Sequence, residues 1–441
     1  MNEFSIRAVE ACLALDSRGT PTVSCKIQLS GGGGGTAIVP SGASTGTHEA
    51  VELRDDDAHF GGRGVMRAID HVRRIIGPAV IGVDAREQET VDTVLEQLDG
   101  TEELRTLGAN ATLSVSIATA LAAADGAKEP LFSAVGDGRR PLLPLPMINI
   151  ISGGAHAGRA VDVQDFLVIP VGAATFSQAI EWTWRVREGT RTALRDAGHA
   201  AHLVADEGGF GPPLPSNQDA LELLVQGIER SGLRPGTEVA IALDVAANQF
   251  SSGENYRFAA EQRQLSATEL LDEIAGWCSD YPIVSLEDVL AEDDWDGWRL
   301  ATSRLGGAQL LGDDLFVTNA DRLERGINQQ VANAVLVKPN QTGTLSRARA
   351  VVRRAHSAGY ATVLSARSGE TEDSWLADLA VGWRTGQIKV GSLARSERTA
   401  KWNRLLRLES ELGTQADYAG LTGESGLRTP AHIGRKMIAP T

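Results

Sequence analysis

Four charged residues close short apolar runs: Ala242-Leu243-Asp244, Val284-Ser285-Leu286-Glu287, Leu310-Leu311-Gly312-Asp313 and Val335-Leu336-Val337-Lys338. Each run has the composition of a buried strand that delivers one charged side chain at its C-terminal end. A single acid in such a place is ordinarily a helix cap or a surface residue. Three acids at matching positions on successive strands converge on one point, where unpaired carboxylates repel one another. A divalent cation would compensate them, and all-oxygen ligation favours magnesium. Lys338 arrives one strand later and Lys389 two strands after that. The bland account of either lysine is an exposed strand end. Beside a metal cluster, however, the charged form of a lysine is disfavoured and the side chain becomes a general base. Arg367 and Ser368, on the strand between them, offer a forked donor and a hydroxyl suited to a phosphate or carboxylate. Glu207 follows a short apolar run and precedes two glycines. By composition it is a turn acid; opposite a lysine base it is a candidate general acid. The small-residue segments 41–46 and 153–158 read as loops, and active-site lids are made of such loops.

The elements that must carry these residues fall into two parts, 1–140 and 141–441. Residues 5–13 and 22–29 have strand composition and are separated by the turn-rich Asp16-Ser17-Arg18-Gly19-Thr20-Pro21. The run of five glycines from Gly31 to Gly35 reads as a loose hairpin connection. No helix with a Lys-Ser/Thr signature follows it, which argues against a phosphate-binding loop. Residues 64–76, 84–99 and the alanine-rich 110–124 carry helical patterning, so the first part is α+β, strands before helices. Residues 141–146 are a linker or the lead-in to a strand. Beyond them, strands ending at Asp244, Glu287, Asp313, Lys338, Arg367 and Lys389 recur at roughly 25-residue intervals after the first gap, about one βα unit each. Helical patterns intervene: 221–228, a helix opened by a capping box at Ser266 and Glu269 and running to about Trp277, and an arginine-rich helix over 345–355 closed by Gly359. The pattern predicts an α/β fold, a parallel β-barrel ringed by helices, with functional side chains at the strand C-termini.

Composition narrows the partners. The chain of 441 residues has a formal net charge of −15, with 42% hydrophobic and 22% charged residues, ordinary for a globular protein. So acidic a surface repels phosphate backbones, so nucleic acid is not an expected partner. No apolar run reaches 18 residues, so no membrane span is expected. The N-terminus lacks the basic and apolar regions of a secretory signal. Cys12, Cys25 and Cys278 have no zinc-site spacing and read as free thiols of a reducing cytosol, so a cytoplasmic location is expected.

Along nearly its whole length the chain resembles an enolase. The carrying motifs are Asp16-Ser17-Arg18-Gly19-Thr20-Pro21-Thr22-Val23, residues 41–46, Asp206-Glu207-Gly208-Gly209, Ser285-Leu286-Glu287-Asp288, Gly312-Asp313-Asp314-Leu315, Lys338-Pro339-Asn340-Gln341 and residues 367–373. The resemblance implies an N-terminal α+β cap, a C-terminal modified TIM-type β/α barrel, a homodimer or higher homo-oligomer, and two magnesium ions per site. It implies Asp244, Glu287 and Asp313 as ligands of the first metal and Ser44 as a residue that helps bind the second. Lys338 matches the base that removes the proton α to the substrate carboxylate, Lys389 the lysine that pairs with that carboxylate, and Glu207 the acid that helps the β-hydroxyl leave. His156, Gln164, Arg367 and Ser368 match substrate contacts, and the substrate implied is a small phosphorylated three-carbon acid. Enolase-superfamily sites use a Lys or His base with magnesium stabilising the ene-diolate.

Two positions depart from the family pattern. Its Gln-Glu-Phe stands here as Gln164-Asp165-Phe166, so the carboxylate that partners the general acid is one methylene shorter, pulled back by about 1.5 Å. Its Ser-His-Arg-Ser-Gly-Glu stands as Ser365-Ala366-Arg367-Ser368-Gly369-Glu370, which removes a histidine from the substrate site. Both changes fall where the hydroxyl leaves or the phosphate sits, and misplacing a catalytic group by about 1 Å can cost on the order of 100-fold in rate. Three readings follow. One is a hydro-lyase interconverting 2-phosphoglycerate and phosphoenolpyruvate. Another is a diverged paralogue of phosphonate or phosphinate biosynthesis, resembling a carboxyphosphonoenolpyruvate synthase that joins a nucleotide-activated phosphonoformate to an enolpyruvate unit. The third is a binding protein with a dead site, against which the retained Lys338, Glu207 and metal acids argue.

Overall fold

A computed structural model describes residues 2–42, 47–56, 58–253 and 255–428. Ser44, implied as a metal ligand by the resemblance, lies outside the described residues.

The cap opens with an antiparallel sheet of β1 (Ile6–Leu15), β2 (Pro21–Leu29) and β3 (Gly34–Ile38). Asp16 makes the turn between β1 and β2, its carboxylate accepting the backbone N–H groups of Arg18 and Thr20 at 2.8 Å each. The predicted helix over 64–76 begins as α1 (Met66–His71), whose first N–H groups Met66 and Arg67 donate to the Asp55 carboxylate, and it widens into a π-turn over 72–76. Next come α2 (Gln88–Asp99) and the almost wholly buried α3 (Ala109–Ala127). The glycine run is more than a loose connection. A Cβ on Gly33 would stand 2.6 Å from Gly126 Cα, and one on Gly35 2.3 Å from Ala118 O. The glycines and the alanines of α3 therefore let helix and sheet backbones meet at a distance no larger side chain permits.

The barrel is closed by eight strands: β4 (Leu145–Ser152), β5 (Asp165–Ile169), β6 (Ala240–Asp244), β7 (Ile283–Glu287), β8 (Gln309–Gly312), β9 (Ala334–Val337), β10 (Ala361–Ser365) and β11 (Gly386–Gly391). Nearly every residue of these strands is buried, as expected of strands covered on both faces. The wholly parallel barrel predicted from strand spacing is corrected at one strand, because β5 runs antiparallel to both β4 and β6. The connection from β4 to β5, residues 153–164, holds only one short 3-10 turn, with no helix to carry the chain back across the barrel. Two helices, α4 (Phe176–Asp196) and α5 (Asn217–Arg230), then precede β6. The remaining outer helices are α6 (Ala267–Asp280), α7 (Trp295–Leu305), α8 (Ala320–Gln329), α9 (Leu345–Ser357), α10 (Trp375–Gly382) and α11 (Ser396–Leu412). The capping box at α6 is formed, with Ser266 and Glu269 each satisfying the other's backbone N–H. Among the described residues no helix is long and apolar enough to cross a membrane.

The cap is joined to the barrel by polar contacts. Ser41 and Gly369 exchange backbone hydrogen bonds of 2.8 and 2.9 Å, and buried Asp92 on α2 accepts the N–H and hydroxyl of Ser346 on α9. These contacts seat the cap loops over the end of the barrel where the parallel strands finish.

Candidate active site

Asp244 and Glu287 are the last residues of β6 and β7; Asp313 and Lys338 directly follow β8 and β9; Arg367 and Ser368 lie just past β10; Lys389 lies in β11. Gln164 and Asp165 reach the same mouth from the opposite end of a strand, since β5 is reversed and Asp165 pairs in register with Asp244. His156, Gln164, Glu207, Asp244, Asp313, Lys338, Arg367, Ser368 and Lys389 line one narrow cleft. Glu287 and Asp165 sit behind that wall, Glu287 against Lys389 and Asp165 against His156. The fold thus brings together every described residue singled out in the sequence.

Opposite charges interlock at the cleft floor. Lys389 Nζ donates to Asp244 Oδ2 at 2.7 Å and to both Glu287 oxygens at 2.8 and 2.7 Å. Gln164 Nε2 donates to the same Asp244 oxygen at 2.9 Å. Lys338 Nζ donates to Asp313 Oδ2, and Gln341 Nε2 to Asp313 Oδ1 at 3.0 Å. Burial pushes the Lys389 ammonium down, but Asp244 and Glu287 outweigh it and hold its pKa well above the ordinary lysine value. Among the protein's own groups, Lys338 stands above the ordinary lysine value. Burial, the largest influence, pushes it down, as do Arg367 and Lys389, while the Asp313 carboxylate and, more weakly, Glu287 push it up. A cation sharing Asp313 and Glu287 would weaken the two carboxylates that hold Lys338 up.

The acids show the same imbalance from their side. Burial, then the Asp244 charge and, more weakly, Asp313 raise Glu287 well above the carboxylate range despite Lys389. Asp288 is raised likewise by burial and by Asp314 and Asp313. Burial and Asp313 push Asp314 up to about 7. Atoms of Glu287, Asp288 and Asp313 lie within 4.8 Å of one another. Asp288 spends its oxygens on backbone N–H groups, so the carboxylates left for a divalent ion are Glu287 and Asp313, with Asp244 joined to Glu287 through Lys389; this buried all-oxygen set fits a divalent metal ion.

A second cluster stands across the cleft. His156 Nδ1 is 2.8 Å from Asp165 Oδ2, and Nε2 is 3.8 Å from Glu207 Oε1. Burial opposes the charge, but Asp165 and Glu207 raise His156 to about 9, so it is an imidazolium at neutral pH. Burial works against ionisation of Glu207 as well, yet His156 and Arg398 hold it below the usual carboxylate range. Asp165, wholly buried, has its pKa raised by desolvation and gives its other oxygen to Asn149 Nδ2. The shortened carboxylate is therefore linked to Glu207 through a charged imidazole.

Sequence reasoning missed several participants. Glu49 comes from the cap: its Oε2 accepts from Arg367 Nη1 at 2.9 Å and its Oε1 from Gln341 Nε2 at 3.3 Å. Asp288 accepts the backbone N–H groups of Asp313 and Asp314 at 3.0 and 2.8 Å, fixing the loop that presents Asp313. Arg18 reaches Ser368 Oγ at 3.5 Å. Adjacency to Glu287 and Asp313 was the available signal for Asp288 and Asp314; Glu49 had none beyond following the loop at 41–46.

Comparison with known families agrees with this architecture. Residues 6–135 match the enolase N-terminal domain and residues 140–425 the enolase C-terminal TIM barrel domain. Two matches that together span most of the chain, on a cap and a closed barrel whose mouth gathers acids and lysines, show that this protein belongs to the enolase family.

Proposed function

We propose that the protein is a magnesium-dependent lyase that interconverts 2-phosphoglycerate and phosphoenolpyruvate. The observation that carries this reading is the meeting of Lys338, the carboxylates of Asp244, Glu287 and Asp313, and Glu207 across one cleft. Lys338 takes the proton from the carbon α to the substrate carboxylate. Magnesium held by Asp244, Glu287 and Asp313, with Ser44 serving a second ion, would neutralise the charge that builds on that carboxylate. Lys389 stands against two of the same acids and supports the same charge. Arg367 and Ser368 receive the phosphate. Glu207, on the opposite wall and itself ionised, passes to the departing hydroxyl the proton that the His156 imidazolium holds beside it. The family resemblance further supports a homodimer or higher homo-oligomer in the cytoplasm, which light scattering on the purified protein tests for assembly.

A second reading is favoured by a specific observation. Asp165 spends both oxygens on Asn149 and His156, and Ala366 presents only a methyl group to the cleft. The half of the site that governs what leaves differs from the family pattern, and the half that makes the enolate does not. A paralogue that joins an enolpyruvate unit to an activated phosphonoformate would have this division. Formation of phosphoenolpyruvate, followed by its ultraviolet absorbance, separates the two. Turnover of roughly 1–1000 per second supports the lyase, and a rate a thousandfold lower favours the paralogue. In that event the Asp165→Glu, Ala366→His double variant raises the rate; no gain would refute the account of these two positions.

A further inference from the structure

Arg398 lies in the first turn of α11 and is fully buried. A cation near a helix N-terminus opposes the helix dipole, and a buried one is costly unless its donors are satisfied. Its acceptors are not scattered. Nη1 donates to Arg367 O at 2.7 Å and Val390 O at 2.9 Å, and Nη2 donates to Ser368 O at 2.5 Å. Nη1 is also 3.8 Å from Glu207 Oε1, and Nε is 3.6 Å from Glu397 Oε1. Every acceptor except Glu397 belongs to a residue that faces the cleft or, for Val390, adjoins Lys389. The crowding at Gly391 fits the same purpose. With φ of +114°, a Cβ there would stand 2.8 Å from Glu207 O and 3.0 Å from Arg398 Cδ, so only glycine lets the strand end, the Glu207 loop and the arginine meet.

We propose that Arg398 is a positioning residue: one guanidinium fixes the Arg367–Ser368 cradle, the strand end that carries Lys389 and the Glu207 carboxylate in a single register. A planar fork serves several carbonyls at once, and an ammonium on a flexible stem does not. The inference rests on the reading that Arg367, Ser368, Lys389 and Glu207 meet substrate. The cradle amides have acceptors within the chain: Ala366 N–H on Lys389 O, Arg367 N–H on Glu370 Oε1 and Gly369 N–H on Ser41 O. The arginine holds the carbonyl side of the same cradle, at Arg367, Ser368 and Val390.

The test uses Arg398→Lys in the full chain with magnesium and 2-phosphoglycerate. The expected result is a KM at least tenfold higher, and a kcat loss that shrinks to less than threefold when the substitution is made in a Glu207→Gln background. Parameters within threefold of the parent overturn the proposal. So does a kcat loss of equal size in both backgrounds, which would mark a purely structural residue. Hydrogen exchange compared between the parent and Arg398→Lys, with Arg398→Gln as a second variant should the first fail to fold, is a further readout. Faster exchange at amides 366, 367 and 369 in the variant, with the barrel amides unchanged, is expected, and unchanged exchange there overturns the proposal. If the unaltered protein neither turns over nor binds 2-phosphoglycerate, the functional reading falls, while the parent-against-variant exchange still judges Arg398.

Discussion

His156 carries its proton between Asp165 and Glu207, and its elevated pKa of about 9 has a consequence for stability. An unfolded histidine titrates near 6.5. A folded value above that means stabilisation that is complete below about pH 6.5 and is lost as the pH rises through about 9. Urea denaturation between pH 6 and 10 is expected to show this loss in the parent and not in His156→Gln; the same pH dependence in both would refute the assignment. Lys338 tells a related story with the opposite lesson. Its residue type and place after an apolar run were legible in the sequence, as were Asp244, Glu287 and Asp313, because a buried strand can end in only so many ways. Its pairing with Asp313 was not legible, because the protonation balance depends on how closely acids from four strands crowd together. The sharing of Asp165 between Asn149 and His156 was hidden for the same reason. The sequence reading placed Asp165 beside the general acid, and the structure inserts an imidazole between them.

At the scale of elements, periodicity exposed the strands and most helices, and it failed where burial does not follow hydrophobicity. Helix α4 buries Thr183, Arg187 and Thr190 along with Phe176, Ala179 and Leu194, which dilutes the apolar stripe. Arg187 is accommodated by the carbonyl of Gly208 and the face of Phe210, 4.6 Å from its ring centre. The reversal of β5 left no trace in strand spacing, since it depends on a helix that is missing from the connection. The glycines of β3 were read as slack and turn out to be a contact surface. Gly35→Ala would place a methyl carbon 2.3 Å from Ala118 O and 2.4 Å from Ala122 N, both backbone atoms of α3. Overpacking of this kind costs about 1–3 kcal/mol. A loss of at least that size is expected from urea denaturation, with the barrel-mouth residues untouched. An unchanged midpoint would mean that sheet and helix are not in close contact.

The whole molecule is a cap fastened over a barrel mouth, and it is the mouth that holds the unbalanced charge. Folding gathers Asp244, Glu287, Asp288 and Asp313 out of water with a half-buried Asp314 beside them, and the unfolded chain does not. A metal that binds only the folded state stabilises it by mass action, about 2.7 kcal/mol at one hundred times its Kd. Magnesium titration is therefore expected to raise the melting temperature of the parent by a few degrees and to leave Asp244→Asn nearly unmoved. An equal rise in both would place the ion elsewhere. The cap contributes Glu49 to Arg367 and Gln341, so the site is complete only when both parts are docked. The central claim concerns the step that both functional readings share, removal of the α-proton by Lys338. Proton NMR of 2-phosphoglycerate in deuterated buffer with magnesium reads that step directly. Loss of the C2 proton signal, by exchange or by conversion to phosphoenolpyruvate, is expected with the parent and not with Lys338→Ala. A C2 proton that persists with the parent, or that is lost equally fast with Lys338→Ala, would contradict the account.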